Sequence, residues 1–314
     1  MPGDANYASV SLLLHADGAN GSTTFTDNSP TPKTPTVFGN AQISTAQSKF
    51  GGASMLFDGA GDYLSYADNA AFELGSSNFC IEAWVRFAGY PVSNGGQYQS
   101  SIIVKDVSGT GGRGFGFSVT GTSSSITALA FIGFSSDALY TLVSNSFTFS
   151  LNTWYHVEVD RAANLLYLFV DGALLNAGGT AFTTTIQNTP SALKIGASEF
   201  DATFKYYLNG YLEDLRMTVG ASRHTAAFTA PTRAHPDGLG EVEGVIYDDA
   251  SSPCARTVRL IRRDTGALVS SAVSDASTGA YILATPTLDE VQRIVLDDSA
   301  GTLYNDLIDR VIPA

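Results

Sequence analysis

The chain has 314 residues, enough for roughly two domains with full-sized cores. Charged residues make up only 15%, against roughly 25% in an average soluble domain, while glycines and aromatics are plentiful, a balance suited to a turn-rich all-β protein. The formal charge of -13 would repel a phosphate backbone or an anionic membrane surface, and no apolar run approaches the roughly 18 residues of a bilayer span, so neither nucleic acid nor membrane insertion is expected.

The chain opens with MPGDANYASVSLLLHADG, which has no cationic start and an apolar stretch too short for an export signal; assembly in a cytoplasm is the expectation. Further on, Phe79, Ile81, Ala83, Val85 and Phe87 alternate with Cys80, Glu82, Trp84 and Arg86, giving a strand with one apolar and one mixed face. Then comes a glycine-rich loop, GYPVSNGGQYQSS, with Tyr90 and Tyr98. GTGGRGFGF has the glycines of a phosphate loop but lacks the Lys-Ser/Thr pair, and reads as a β-turn. In WYHVEVDRAANLLYLFVDG, Tyr155, Val157 and Val159 alternate with His156, Glu158 and Asp160, a turn falls at Ala162 to Asn164, and Asp171-Gly172 is a strong hairpin turn. Strands with one apolar face bury it only against a second sheet, so residues 1–235 are expected to form a two-sheet sandwich.

A linker is expected at residues 236–240, within APTRAHPDGLG. Beyond it, residues 241–314 carry 6 Lys+Arg and 12 Asp+Glu against 11 and 18 in the first 240, and every base there is Arg. Six short strands, EVEGVIYD, RTVRLIRRD, ALVSSAVSD, GAYILAT, VQRIVLDD and LYNDLIDRVI, fit a compact Ig-like or transthyretin-like sandwich. Cys80 and Cys254 fall in different segments and read as free thiols.

In order, SVSLLLHADGANGSTTFTDNSP, SKFGGASMLFDGAGDYLSY, FCIEAWVRF, TWYHVEVDR with LYLFVDG, and YLNGYLEDLRMTVGASRHTAAFTAP resemble laminin G-like jelly rolls of the concanavalin A-like lectin/glucanase superfamily, in a variant found in bacteriophage tail and tail-fibre proteins. The last part, with GVIYDDASSPCARTVRLIRRDTG and SDASTGAYIL, resembles carboxypeptidase-regulatory-like domains. The resemblance implies that GYLEDLRMTVG pairs beside VSLLLHADG, that Arg223-His224 begins the exit turn, and that Phe228 tucks the tail back onto the domain. It also implies a structural Ca²⁺ held by Asp17 and Asp214; the other reading makes Asp17-Gly18 a turn and Asp214 a loop cap. By strand alternation Glu213 and Asp214 point to opposite faces.

A glucanase-like ladder needs ExDxE on one strand, and HVEVDRA supplies Glu158 and Asp160 but has Ala162 in the third place, which leaves the acid/base role vacant. Sugar binding asks only for an aromatic face and a few planar polar groups. Glu82, Trp84, Arg86, His156 and Glu158, with Tyr90 and Tyr98 at the rim, are the candidate ligand-binding residues. The competing reading covers Trp84 with the glycine-rich loop and pairs Glu82 with Arg86. The expected function is therefore non-enzymatic: a virion protein, homo-oligomeric and trimeric by its tail or fibre location, that joins other virion proteins and recognises a host-surface polysaccharide, with a purely structural virion role and a glycan-degrading one as alternatives.

Overall fold

The computed structural model describes residues 4–94, 96–106, 112–199, 205–238, 240–248, 250–262, 266, 268–285, 291–296 and 306–311. The chain divides into two compact units, Ser9–His235 and Met1–Ala8 with Pro236–Ala314.

Ser9–His235 is a sandwich of two large antiparallel sheets. The first runs, in lateral order, from Ala173–Leu174 through Leu165–Val170, Trp154–Ala162, Phe79–Phe87, Asn209–Val219 and Ser54–Asp58 to Gln42–Ser44; Val10–Leu14 also pairs with Asn209–Val219. The second runs from Tyr140–Phe149 through Ser125–Phe134, Arg113–Thr122, Gln97–Asp106, Leu193–Ile195 and Tyr63–Tyr66 to Thr36–Phe38. The alternating apolar residues of the sequence meet between them. Phe79, Ile81, Ala83, Val85, Val157, Val159, Leu212 and Met217 pack in one core with Phe115, Phe117, Val119, Leu129 and Phe131. The rings of Phe79 and Phe131 lie 5.2 Å apart and those of Phe87 and Phe149 5.4 Å apart. Each such buried Val, Leu, Ile, Met or Phe side chain contributes about 1.5–3 kcal/mol through removal from water.

Two turns fix register on the first sheet. Ala163 takes φ 54°, and Asp171 and Gly172 take φ 49° and 76°, the left-handed pair that a two-residue hairpin requires. The glycine-rich segment after Phe87 is not an open loop: Val92–Asn94 pairs with the start of Gln97–Asp106 as a hairpin, Ser93 opposite Tyr98. Residues 107–111 of the glycine-rich stretch before Arg113 lie outside the described residues.

Strict alternation fails between Phe79–Phe87 and Asn209–Val219. Glu213 pairs with Trp84 while Arg216 pairs with Glu82, so three steps on one strand face two on the other. Asp214, at φ 53°, absorbs the extra residue as a β-bulge. Leu212 and Leu215 both reach the core as a result, and Glu213 and Asp214 both lie on the outer face rather than on opposite ones.

In the other unit, Gly240–Val245 pairs with Ala280–Thr285, and Leu268–Val273, Thr257–Arg262, Val291–Leu296 and Asp306–Val311 form a four-stranded sheet. Val242, Val258, Leu260, Tyr281 and Leu283 make its core.

Candidate functional site

The outer face of the first sheet carries a layer of charge that is closed to solvent. Its floor comes from three adjacent strands: Cys80, Glu82 and Trp84 from the first, His156, Glu158 and Asp160 from the second, Glu213, Asp214, Arg216 and Thr218 from the third. All ten are buried. The lid over much of this layer is the exit segment, residues 220–235. Asp160 accepts hydrogen bonds from Ser222 Oγ at 2.5 Å and from the backbone N–H groups of Arg223 and His224 at 2.6 and 3.0 Å. The His224 and Phe228 rings stack at 3.6 Å, Phe228 meets Phe169 and His156 edge-on, and Phe228 N donates to Gly172 O. His235 N, where the segment ends, donates to Asp214 Oδ2 at 2.8 Å.

Glu82 is the hub. Its Oε1 accepts from Arg216 Nε at 2.9 Å and Nη2 at 2.7 Å, and its Oε2 faces His156 Nε2 at 3.2 Å and His235 Nε2 at 3.4 Å. Burial alone would raise its pKa, but Arg216, then His235 and His156, outweigh that and hold the carboxylate well below its ordinary range. Glu158 goes the other way: burial first, then the negative charges of Glu82 and Asp160, push it well above 4.5. Burial likewise lowers the pKa of its partner His224. Their 2.9 Å contact joins His224 Nδ1 to a Glu158 carboxyl oxygen inside the covered layer. Burial brings His235 down to about 4. At the bulge, burial raises Glu213 to about 7, with Asp214 and Asp17 adding to the rise and the Lys49 and Phe50 N–H groups opposing it.

This arrangement relocates most of the residues expected to bind a ligand. Glu82, Trp84, His156 and Glu158 are brought together but sealed in, so they form no open sugar face. Trp84 is covered by residues 49–50, not by the glycine-rich segment: Lys49 Nζ sits 3.9 Å over its ring and Phe50 meets it edge-on at 5.8 Å. Arg86 is not the partner of Glu82; its guanidinium lies over Tyr211, 5.7 Å from the ring centre. Tyr90 is exposed and Tyr98 half-buried.

The Asp17–Asp214 pair does not fit calcium, which takes six to eight oxygen ligands. Both Asp214 oxygens already take nitrogen donors, His15 Nδ1 at 2.7 Å and His235 N, and Glu213 beside it accepts from Lys49 N and Phe50 N. Asp17 is exposed with its carboxylate against Gly51. Sequence reasoning missed Arg216, Arg223, His224 and His235 as partners of this layer. The available signal was the run of ionisable residues at outward positions of adjacent strands, Glu82, His156, Glu158 and Asp160, which calls for a matching set elsewhere in the chain.

The opposite sheet keeps a small cleft of about 60 Å³. Val104, Gly116 and Ile132 line it with Phe115 and Phe134, and Gln99, Asp106, Ser198 and Tyr206 add polar groups. Ser198 Oγ donates to Asp106 Oδ2 at 2.8 Å, and Tyr206 OH donates to Asn94 O at 3.3 Å. Gly116 leaves the middle of the cleft bare: a Cβ there would meet Ile132 at 3.3 Å.

Two stacked antiparallel sheets, with the last long strand lying between the first strand and Phe79–Phe87, define a jelly-roll sandwich. More particularly, residues 58–222, just over half of the chain, match the laminin G-like family described as the Concanavalin A-like lectin/glucanases superfamily, and the chain belongs to it. No curated protein matches the chain. Among solved structures it is similar to domain 4 of AbnA, a GH43 extracellular arabinanase from Geobacillus stearothermophilus, in complex with arabinotriose, at 14% identity and a TM-score of 0.48 over 69% of this chain and 95% of that one. It is also similar to the binding domain of botulinum neurotoxin serotype D, at 14% identity and a TM-score of 0.49 over 94% and 74% of the two chains. The binding domain of Paraclostridial Mosquitocidal Protein 1 is similar at 12% identity and a TM-score of 0.48 over 95% and 73%. No functional assignment follows from likenesses at this level.

Proposed function

We propose that this chain is a non-enzymatic glycan-recognition protein of a bacteriophage virion, of tail or tail-fibre type, that reads a host-surface polysaccharide through its jelly roll. The observation that carries the reading is the cleft on the second sheet. It combines an apolar floor with a phenylalanine wall and a small set of planar or hydroxyl polar groups, Gln99, Asp106, Ser198 and Tyr206, which is the chemistry a pyranose ring asks for. Hydrolysis is not part of the proposal: Glu158 and Asp160 are buried beneath residues 220–235, and Ala162 stands where a third carboxylate would act. Assembly with other virion proteins, as a trimer and in the host cytoplasm, belongs to the same reading, with residues 241–314 as an Ig-like module.

A second reading, a purely structural virion component, is favoured by the sealing of the first sheet, which removes the other face that a sugar would use. Labelled protein added to host cells before and after periodate oxidation of their glycans separates the two. Saturable binding lost on oxidation is expected; binding to virions but to no cell supports the structural role. A surface polysaccharide incubated with the protein is expected to keep its chain length, and shortening would contradict the non-enzymatic assignment.

A further inference from the structure

Three side chains from distant parts of the chain converge beneath the end of the covering segment. Glu82 comes from Phe79–Phe87, His156 from Trp154–Ala162, and His235 from the last residue of the sandwich unit. Each offers one ligand atom, all three atoms lie within 4.8 Å of one another, and all three residues are buried. Glu82 Oε2 stands 3.2 Å from His156 Nε2 and 3.4 Å from His235 Nε2. With metal–ligand bonds of 2.0–2.1 Å, the ligand atoms of a tetrahedral zinc site stand about 3.3 Å apart. We infer that Glu82, His156 and His235 bind one divalent cation of the zinc class, which fastens the end of the 220–235 segment to the first sheet.

Independent features agree with this. His235 Nε2 is buried without a hydrogen-bond partner, whereas buried polar atoms are ordinarily satisfied. Glu82 divides its two oxygens: Arg216 takes Oε1 and leaves Oε2 turned toward the two imidazoles, as a monodentate ligand would be. Two imidazoles with one carboxylate select a borderline transition cation over calcium or magnesium, which take all-oxygen sites. This site differs in residues and in metal from the Asp17–Asp214 pair rejected above.

The test uses the full chain, stripped with a chelator and dialysed, then titrated with Zn²⁺ by calorimetry and followed by thermal melting, with Ca²⁺ in a parallel series. One equivalent of zinc is expected to bind and to raise Tm with concentration, while calcium does not. His235→Gln is expected to melt close to the wild type without metal and to lose more than about tenfold in zinc affinity, since even outer-shell losses reach 10–100-fold. His156→Gln serves as the second variant should the first fail to fold. No zinc binding, a calcium response equal to that of zinc, or unchanged affinity in the folded variants would overturn the assignment.

Discussion

Arg216 places two nitrogens on a single oxygen of Glu82 inside a layer closed to water. A buried pair of this kind adds little net stability, since both charges are desolvated, yet it is costly to break, because removing one partner strands the other charge. Arg216→Met is expected to lower unfolding stability by about 3–5 kcal/mol, measured by denaturant titration. Glu213 gives a pH signature. Its folded pKa, near 7, lies above the ordinary 4.5, so the folded state keeps a proton that the unfolded chain has lost between these values. The stabilisation is complete below about 4.5 and disappears as pH rises through 7, with a slope of at most about 1.4 kcal/mol per unit. Glu213→Gln is expected to flatten that part of the stability–pH curve, and an unchanged slope would place the titration elsewhere. Alternation in the sequence correctly put Glu82, Trp84, His156 and Glu158 on one face, because a two-residue period is local. It could not show that Arg216 rather than Arg86 answers Glu82, since that pairing spans 134 residues and depends on the bulge.

Among the elements, the 220–235 segment decides what the first sheet can do. Its attachments are few and specific: Asp160 holds its start, Phe228 its middle and Asp214 its end. Gly172 matters to the middle attachment, for it takes φ 76° and any Cβ there would run into the Phe228 carbonyl. Gly172→Ala is expected to loosen the segment and to speed limited proteolysis within residues 220–235, with the core strands remaining intact. Equal cleavage rates in variant and wild type would show that the segment is held by other contacts. The Asp171-Gly172 turn and the first-to-last strand pairing were legible, one from turn chemistry and the other from the family resemblance. The bulge at Asp214 was not, because no glycine or proline marks it; aspartate is simply tolerant of the left-handed region.

For the molecule as a whole, the face that sequence suggested for a ligand is the covered one, and the proposed function moves recognition to the second sheet. Outward polar residues on Phe79–Phe87 and Trp154–Ala162 read as a ligand surface, yet a polar outward position looks the same in sequence whether solvent or another segment of the chain covers it. The cleft on the second sheet gave no such signal: Gly116, Ser198 and Tyr206 are individually unremarkable residues from three separate segments. The measurement that bears most directly on the account is binding of two variants to host cells or their purified surface polysaccharide. Gln99→Ala, in the cleft, is expected to weaken binding while Trp84→Phe, in the sealed layer, leaves it intact. Loss of binding in a folded Trp84→Phe protein with full retention in Gln99→Ala would contradict the account and return recognition to the first sheet.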